Sequence, residues 1–82
     1  MRRLPVVSGE KLLKLLGRLG YTLVRQRGSH ARLKKATEAG DHNITVPIHD
    51  EIAKGTLNDI LSHVSERNNI SKDELIDILE KL

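Results

Sequence analysis

The chain contains no cysteine, no phenylalanine and no tryptophan, and Tyr21 is its one aromatic residue. Without cysteine there is no disulfide framework, no thiolate zinc site and no cysteine nucleophile. RNA-binding sheets that stack several bases need several aromatics, so that mode of recognition is not expected. No apolar run approaches the ~18 residues of a membrane span. Proline occurs only at positions 5 and 47, and no Pro/Gly/Ser-rich linker or internal repeat divides the 82 residues. Met1-Arg2-Arg3-Leu4-Pro5 has basic residues but no apolar segment of ~7–15 residues behind it, so no secretory signal is expected and the cytoplasm is the expected compartment.

What is present is charge, unevenly placed. The formal net charge is +3, but residues 1–40 hold ten basic and two acidic residues, and residues 41–82 hold four basic and nine acidic ones. The halves therefore carry +8 and −5. Such a split points to a polyanion-binding face on a differently charged remainder. The length suits one domain over 1–82 with a small core of Leu, Ile and Val, and a folding margin of roughly 3–5 kcal/mol.

The hydrophobic period places the elements. Ser8 is a suitable N-cap and Glu10 puts negative charge in the first turn. Leu12, Leu15, Leu16 and Leu19 recur at helical spacing, and Gly20 is a good stop, giving a helix over 9–19. Lys11, Lys14 and Arg18 form a separate stripe on it. Strand character follows over 21–27, a turn at Gly28-Ser29, and an alternating strand over 30–35 with Ala31 and Leu33 on one face and His30, Arg32 and Lys34 on the other. Residues 37–42 read as a polar loop, with His42 solvated in it. Ile44 and Val46 mark a third strand over 43–46 that Pro47 ends. Leu57, Ile60, Leu61 and Val64 give a helix over 55–66, broken at Arg67-Asn68-Asn69. Ser71 and Glu74 form a capping box for a last helix over 72–81. The expected fold is α+β, a two-layer sandwich of order α-β-β-β-α-α with a three-stranded antiparallel sheet and helices on one face.

Four strings along this chain resemble the HicA toxin family: Ser8-Gly9-Glu10 leading to Leu19-Gly20-Tyr21, Arg25-Gln26-Arg27-Gly28-Ser29-His30, Val46-Pro47-Ile48-His49, and Lys54-Gly55-Thr56-Leu57. The resemblance implies a double-stranded-RNA-binding-domain-like fold. It implies an endoribonuclease acting on mRNA and inhibiting translation, neutralised by a HicB-type antitoxin. The family's functional histidine lies in its G-S-H element, which carries over onto His30. Helix one is also among the elements that meet RNA in that fold.

The residues suit that chemistry. RNA carries its own nucleophile, the 2′-OH, so cleavage needs a base, an acid and cationic stabilisation, with neither metal nor other cofactor expected. His30 is the natural base. It shares a strand face with Arg32 and Lys34, and Arg25 and Arg27 arrive from the paired strand. Nearby cations favour a neutral imidazole, able to accept a proton, and would hold the phosphate. Water, His49 and Lys34 remain as candidates for the general acid. Outside the G-S-H setting, His30 would read as an ordinary solvent-facing strand residue.

Other features have plainer readings. Gly28 suits a tight turn, and Ser29 could add a hydrogen bond to phosphate. The start of the second helix could hold an anion beside Lys54, though Asp50 and Glu51 oppose it, and capping by Thr56 is the simpler role. Lys11, Lys14 and Arg18 could follow an RNA backbone as part of one RNA-facing surface with His30, or form an ordinary solvated stripe. His49 reads as structural and His63 as surface. His42, His49, Asp41 and Asp50 match no standard metal spacing. The apolar residues of the last helix leave a weak pointer to a partner contact. The rival functions are a non-catalytic RNA-binding module of the same fold and a DNA-binding or scaffold protein. The acidic balance of the last two helices argues against the latter.

Overall fold

A computed structural model of the protein describes residues 3–82. The order is α1 (Gly9–Arg18), β1 (Thr22–Arg27), β2 (His30–Thr37), β3 (Gly40–Pro47), α2 (Lys54–Asn68) and α3 (Lys72–Lys81). The strands form one antiparallel sheet in the order β1-β2-β3. The α+β class and element order expected from the sequence are those observed.

Local signals set the helix ends. The Ser8 hydroxyl accepts from the Lys11 N–H at 3.1 Å, and the Ser71 hydroxyl accepts from the Glu74 N–H at 3.1 Å. Each satisfies one donor that a helix start leaves without a partner. α2 departs from expectation at both ends. Its N-cap is Ala53 with no side-chain cap bond, so Thr56 does not cap it. It also runs through Arg67 and Asn68, stopping at Asn69 in the left-handed region with φ +53. Asn68 reads as a breaker, but its side-chain amide donates to the Val64 carbonyl at 2.8 Å, four residues back along the helix.

Buried Leu12, Leu15 and Leu16 of α1, Leu57, Ile60, Leu61 and Val64 of α2, and Leu75, Ile76 and Leu79 of α3 meet Ala31, Leu33, Ile44 and Val46 of the sheet in one core. Among the described residues no helix packs on the opposite face of the sheet. The apolar residues of α3 are spent on this core: Leu75, Ile76 and Leu79 are fully buried and Ile78 packs against it. The expected pointer from α3 to a partner is therefore not supported.

The start of α1 is clamped to the end of the sheet. The Gly9 N–H donates to the His49 carbonyl at 2.9 Å, and a Cβ at Gly9 would stand 2.3 Å from the Pro47 carbonyl oxygen. Only glycine fits there. Close by, the Ile48 N–H donates to the Ser29 carbonyl at 2.6 Å, tying the β1–β2 turn to the chain beyond β3.

The expected polar loop over 37–42 is not a loop. β2 extends to Thr37, β3 begins at Gly40, and only Glu38 and Ala39 lie between the paired residues Thr37 and Gly40. Gly40 takes φ +104, the pattern of a tight hairpin that closes on a glycine. β3 is thus twice as long as the 43–46 expected. His42 hid the alternation: it sits at an inward position and is 7 % exposed, where the sequence suggested a solvated residue.

Candidate nucleic-acid interface

The bare face of the sheet collects side chains from all three strands. On β2 these are His30, Arg32 and Lys34, which alternate with buried Ala31 and Leu33. Their partners on β3 are Pro47, Thr45 and Asn43 respectively. On β1, Arg27 lies opposite His30 and Arg25 opposite Arg32.

The β1 placement depends on a defect in the ladder. Leu23 pairs with inward Leu33, yet Arg25, two residues on, pairs with outward Arg32. Residues two apart in a regular strand share a face. The register shift at Val24 breaks that rule, as a β-bulge does. It moves Arg25 and Arg27 from the face of Leu23 to the face of His30.

The result is an open pocket of about 250 Å³ lined by Arg25, Arg27, His30, Arg32 and Thr45. Gly28 closes the β1–β2 turn beside it with φ +58, a value that favours glycine. Ser29 completes the turn and is exposed. Thr45 was not singled out from the sequence. Its signal was the alternation of β3, in which Ile44 and Val46 point inward and so send Thr45 outward.

The other cations expected at this site are placed differently. Lys34 lies on the same face, but its Nζ is 3.2 Å from Asp41 Oδ2. Both side chains are about half exposed, so the pair adds little stability, but it offsets the Lys34 charge. Lys11, Lys14 and Arg18 belong to α1, which sends its leucines into the core beneath the inner face of the sheet, whereas His30 stands on the outer face. The +8 half is therefore spread over two layers. Among the described residues no three His, Asp or Glu side chains converge as a metal site would require, so Asp41, His42, His49 and Asp50 do not form one.

At the opposite end of the sheet lies a polar network that the sequence did not reveal. The Tyr21 hydroxyl and His42 Nδ1 are 2.6 Å apart, and Asn68 Nδ2 donates to the Tyr21 oxygen at 3.0 Å. Lys35 donates to Asn68 Oδ1 and stands 5.7 Å from the Tyr21 ring centre. Burial holds the His42 pKa below the ordinary imidazole value, with the charges of Arg67 and His63 acting the same way. Burial also raises the Tyr21 pKa, opposed by the Asn68 hydrogen bond and Arg67. At neutral pH both groups are uncharged, which suits a structural lock better than proton transfer.

A small α+β protein with a cationic, helix-free sheet face is the class these features define. Comparison with known families narrows it. The model of a family described as the HicA toxin of bacterial toxin-antitoxin matches residues 9–65, from the start of α1 into the last turns of α2. The chain belongs to the HicA toxin family, the toxin side of a toxin–antitoxin pair. No curated protein and no solved structure gives a match. Among the described residues no helix is long and apolar enough to cross a membrane.

Proposed function

We propose that the protein is a metal-independent endoribonuclease toxin that cleaves mRNA, with His30 as its general base. The observation that carries this reading is the pocket in which His30 stands among Arg25, Arg27 and Arg32 on an open sheet face, in a chain of a toxin family. An imidazole ringed by guanidinium groups suits a phosphodiester.

The base removes the proton of a ribose 2′-OH. The 2′-oxygen attacks the adjacent phosphorus, the bond to the 5′-oxygen of the next nucleotide breaks, and that oxygen takes up a proton. The products are a 2′,3′-cyclic phosphate and a 5′-hydroxyl. Arg25, Arg27 and Arg32 hold the phosphate and offset the charge that grows on it in the transition state. Ser29 and Thr45 offer hydroxyls at the rim. Because the nucleophile belongs to the substrate, no metal is needed to generate it. With one histidine as the acid–base group, turnover is slow.

Lys11, Lys14 and Arg18 lie on α1, where a long RNA that extends past the sheet face would meet them. The partner is a HicB-type antitoxin that covers the basic sheet face and His30. The test is cleavage of long RNA by the wild type and His30→Ala, both in EDTA, with RNA binding measured beside it. The wild type should cleave, and the variant should bind but not cleave. Binding by the wild type with no cleavage would leave a non-catalytic RNA-binding module. Undiminished cleavage by the toxin–antitoxin complex would refute the inhibitory role of the partner.

A further inference from the structure

The sheet has an open edge at β1, which pairs with β2 on one side only. All six residues of Thr22–Arg27 are exposed. Leu23 and Val24 stand there side by side, 54 % and 58 % exposed, and they are two of the three large apolar residues left exposed among the described ones. The edge strand β3 at the other side differs: its apolar residues Ile44 and Val46 are buried, and its exposed positions are polar. An exposed strand edge with adjacent apolar side chains is a template for pairing with another chain.

The charges on β1 choose the occupant. Arg25 and Arg27 follow the apolar pair along the strand, and Arg32 stands across from Arg25. A second copy pairing through the same edge would gather the arginines of both copies on one joined sheet, and like charges on neighbouring strands oppose pairing. Edge charges and a bulge are devices that hinder such self-pairing. A strand carrying carboxylates at alternate positions reverses the sign of the contact. Its acidic side chains meet Arg25 and Arg27 on the outer face, and its apolar ones cover Leu23.

We propose that β1 is the docking edge for an extended, acidic segment of the antitoxin protein, which adds a fourth strand to the sheet. The inference rests on the reading that this toxin has a protein antitoxin. It adds how the partner engages: carboxylates take the two arginines that would otherwise hold RNA, beside the His30 that the antitoxin covers.

The test uses the full chain and two blocked eight-residue peptides, one alternating Val and Glu and one alternating Val and Lys. Binding is followed by amide hydrogen exchange and by titration at low and high salt. The Val–Glu peptide should protect amides of Thr22–Arg27, bind less tightly as salt rises, and outcompete the Val–Lys peptide. The double variant Leu23→Thr/Val24→Thr should bind it at least tenfold more weakly, with unchanged thermal stability and RNA cleavage. Four results would overturn the proposal: no protection of β1 at millimolar peptide, protection confined to β3 or the helices, equal binding by the double variant, or sedimentation showing that the chain self-associates through β1. Peptide binding by a protein that fails to cleave RNA would sink the nuclease reading and leave this one standing. Cleavage without peptide binding would do the reverse.

Discussion

At the scale of single residues, Tyr21 and His42 bear on folding while His30 is the residue proposed for chemistry, though all three could be read as polar groups near a basic surface. The Tyr21 hydroxyl partners both His42 Nδ1 and Asn68 Nδ2. Tyr21→Phe leaves both without that partner, and a buried polar group left unsatisfied costs about 1–3 kcal/mol. For a domain of this size each kcal/mol lowers Tm by roughly 4–8 °C. The variant should therefore melt well below the wild type in a calorimetric scan, while cleaving RNA normally at temperatures where it is folded. The network lies on the far side of the sheet from His30.

His42 also sets a pH dependence. Its folded-state pKa is lowered from 6.5, first by burial and then by Arg67 and His63. Below about pH 6.5 the unfolded chain takes up a proton that the folded chain refuses, so stability present above that pH is lost as pH falls towards the folded-state pKa. The slope from this one group is at most about 1.4 kcal/mol per pH unit. Thermal melts from pH 7 to pH 5 should show Tm falling. His42→Gln should melt lower at pH 7 but with a flatter pH profile; an unchanged profile would show that His42 is not the titrating group.

At the scale of elements, the Val24 bulge determines which β1 side chains reach the outer face of the sheet. Deleting Val24 leaves Leu23 opposite Leu33 and Arg25 opposite Arg32 in a regular ladder, so RNA affinity should hold. Deleting Gln26 instead, with Arg27 kept opposite His30, turns Arg25 towards the inner face. RNA affinity should then fall, and the log–log salt slope should shrink by about 0.7, the share of one phosphate on a single strand. Filter-binding titrations of the two deletions across a salt series make the comparison.

Much at this scale was legible in the sequence. Leu12, Leu15 and Leu16 show a helical period, Ala31 and Leu33 a strand period, and Ser8 and Ser71 are caps by residue type. The bulge was not legible, because Thr22–Arg27 alternates as well without it and only pairing with β2 reveals the extra residue. Nor was the length of β3. Gly40, Asp41 and His42 have loop-like composition, and nothing local shows that an imidazole faces inward to meet a tyrosine 21 residues earlier.

At the scale of the whole molecule, the core divides the basic charge. The outer sheet face offers Arg25, Arg27 and Arg32, with Lys34 held by Asp41. Lys11, Lys14 and Arg18 lie on the helical layer. A single strand gripped by the three arginines should bind with a salt slope of about −2, whereas one that also engaged the α1 stripe would approach about −4. The first value is expected for short RNA. The pocket itself was half visible before the fold: the G-S-H element singled out His30, and charge counting singled out the cations that line the pocket with it. The separation of the two basic surfaces needed the packing of α1 against the sheet.

The central claim is that His30, among these arginines, turns the RNA's own 2′-OH into the nucleophile. Its most direct measurement is the chemistry of the cut ends, read after incubation of long RNA with the wild type and with His30→Ala, each in EDTA. The wild type should leave a 2′,3′-cyclic phosphate and a 5′-hydroxyl, and the variant should bind RNA without cleaving it. Cleavage leaving a 5′-phosphate and a 3′-hydroxyl, or equal cleavage by His30→Ala, would contradict the central claim.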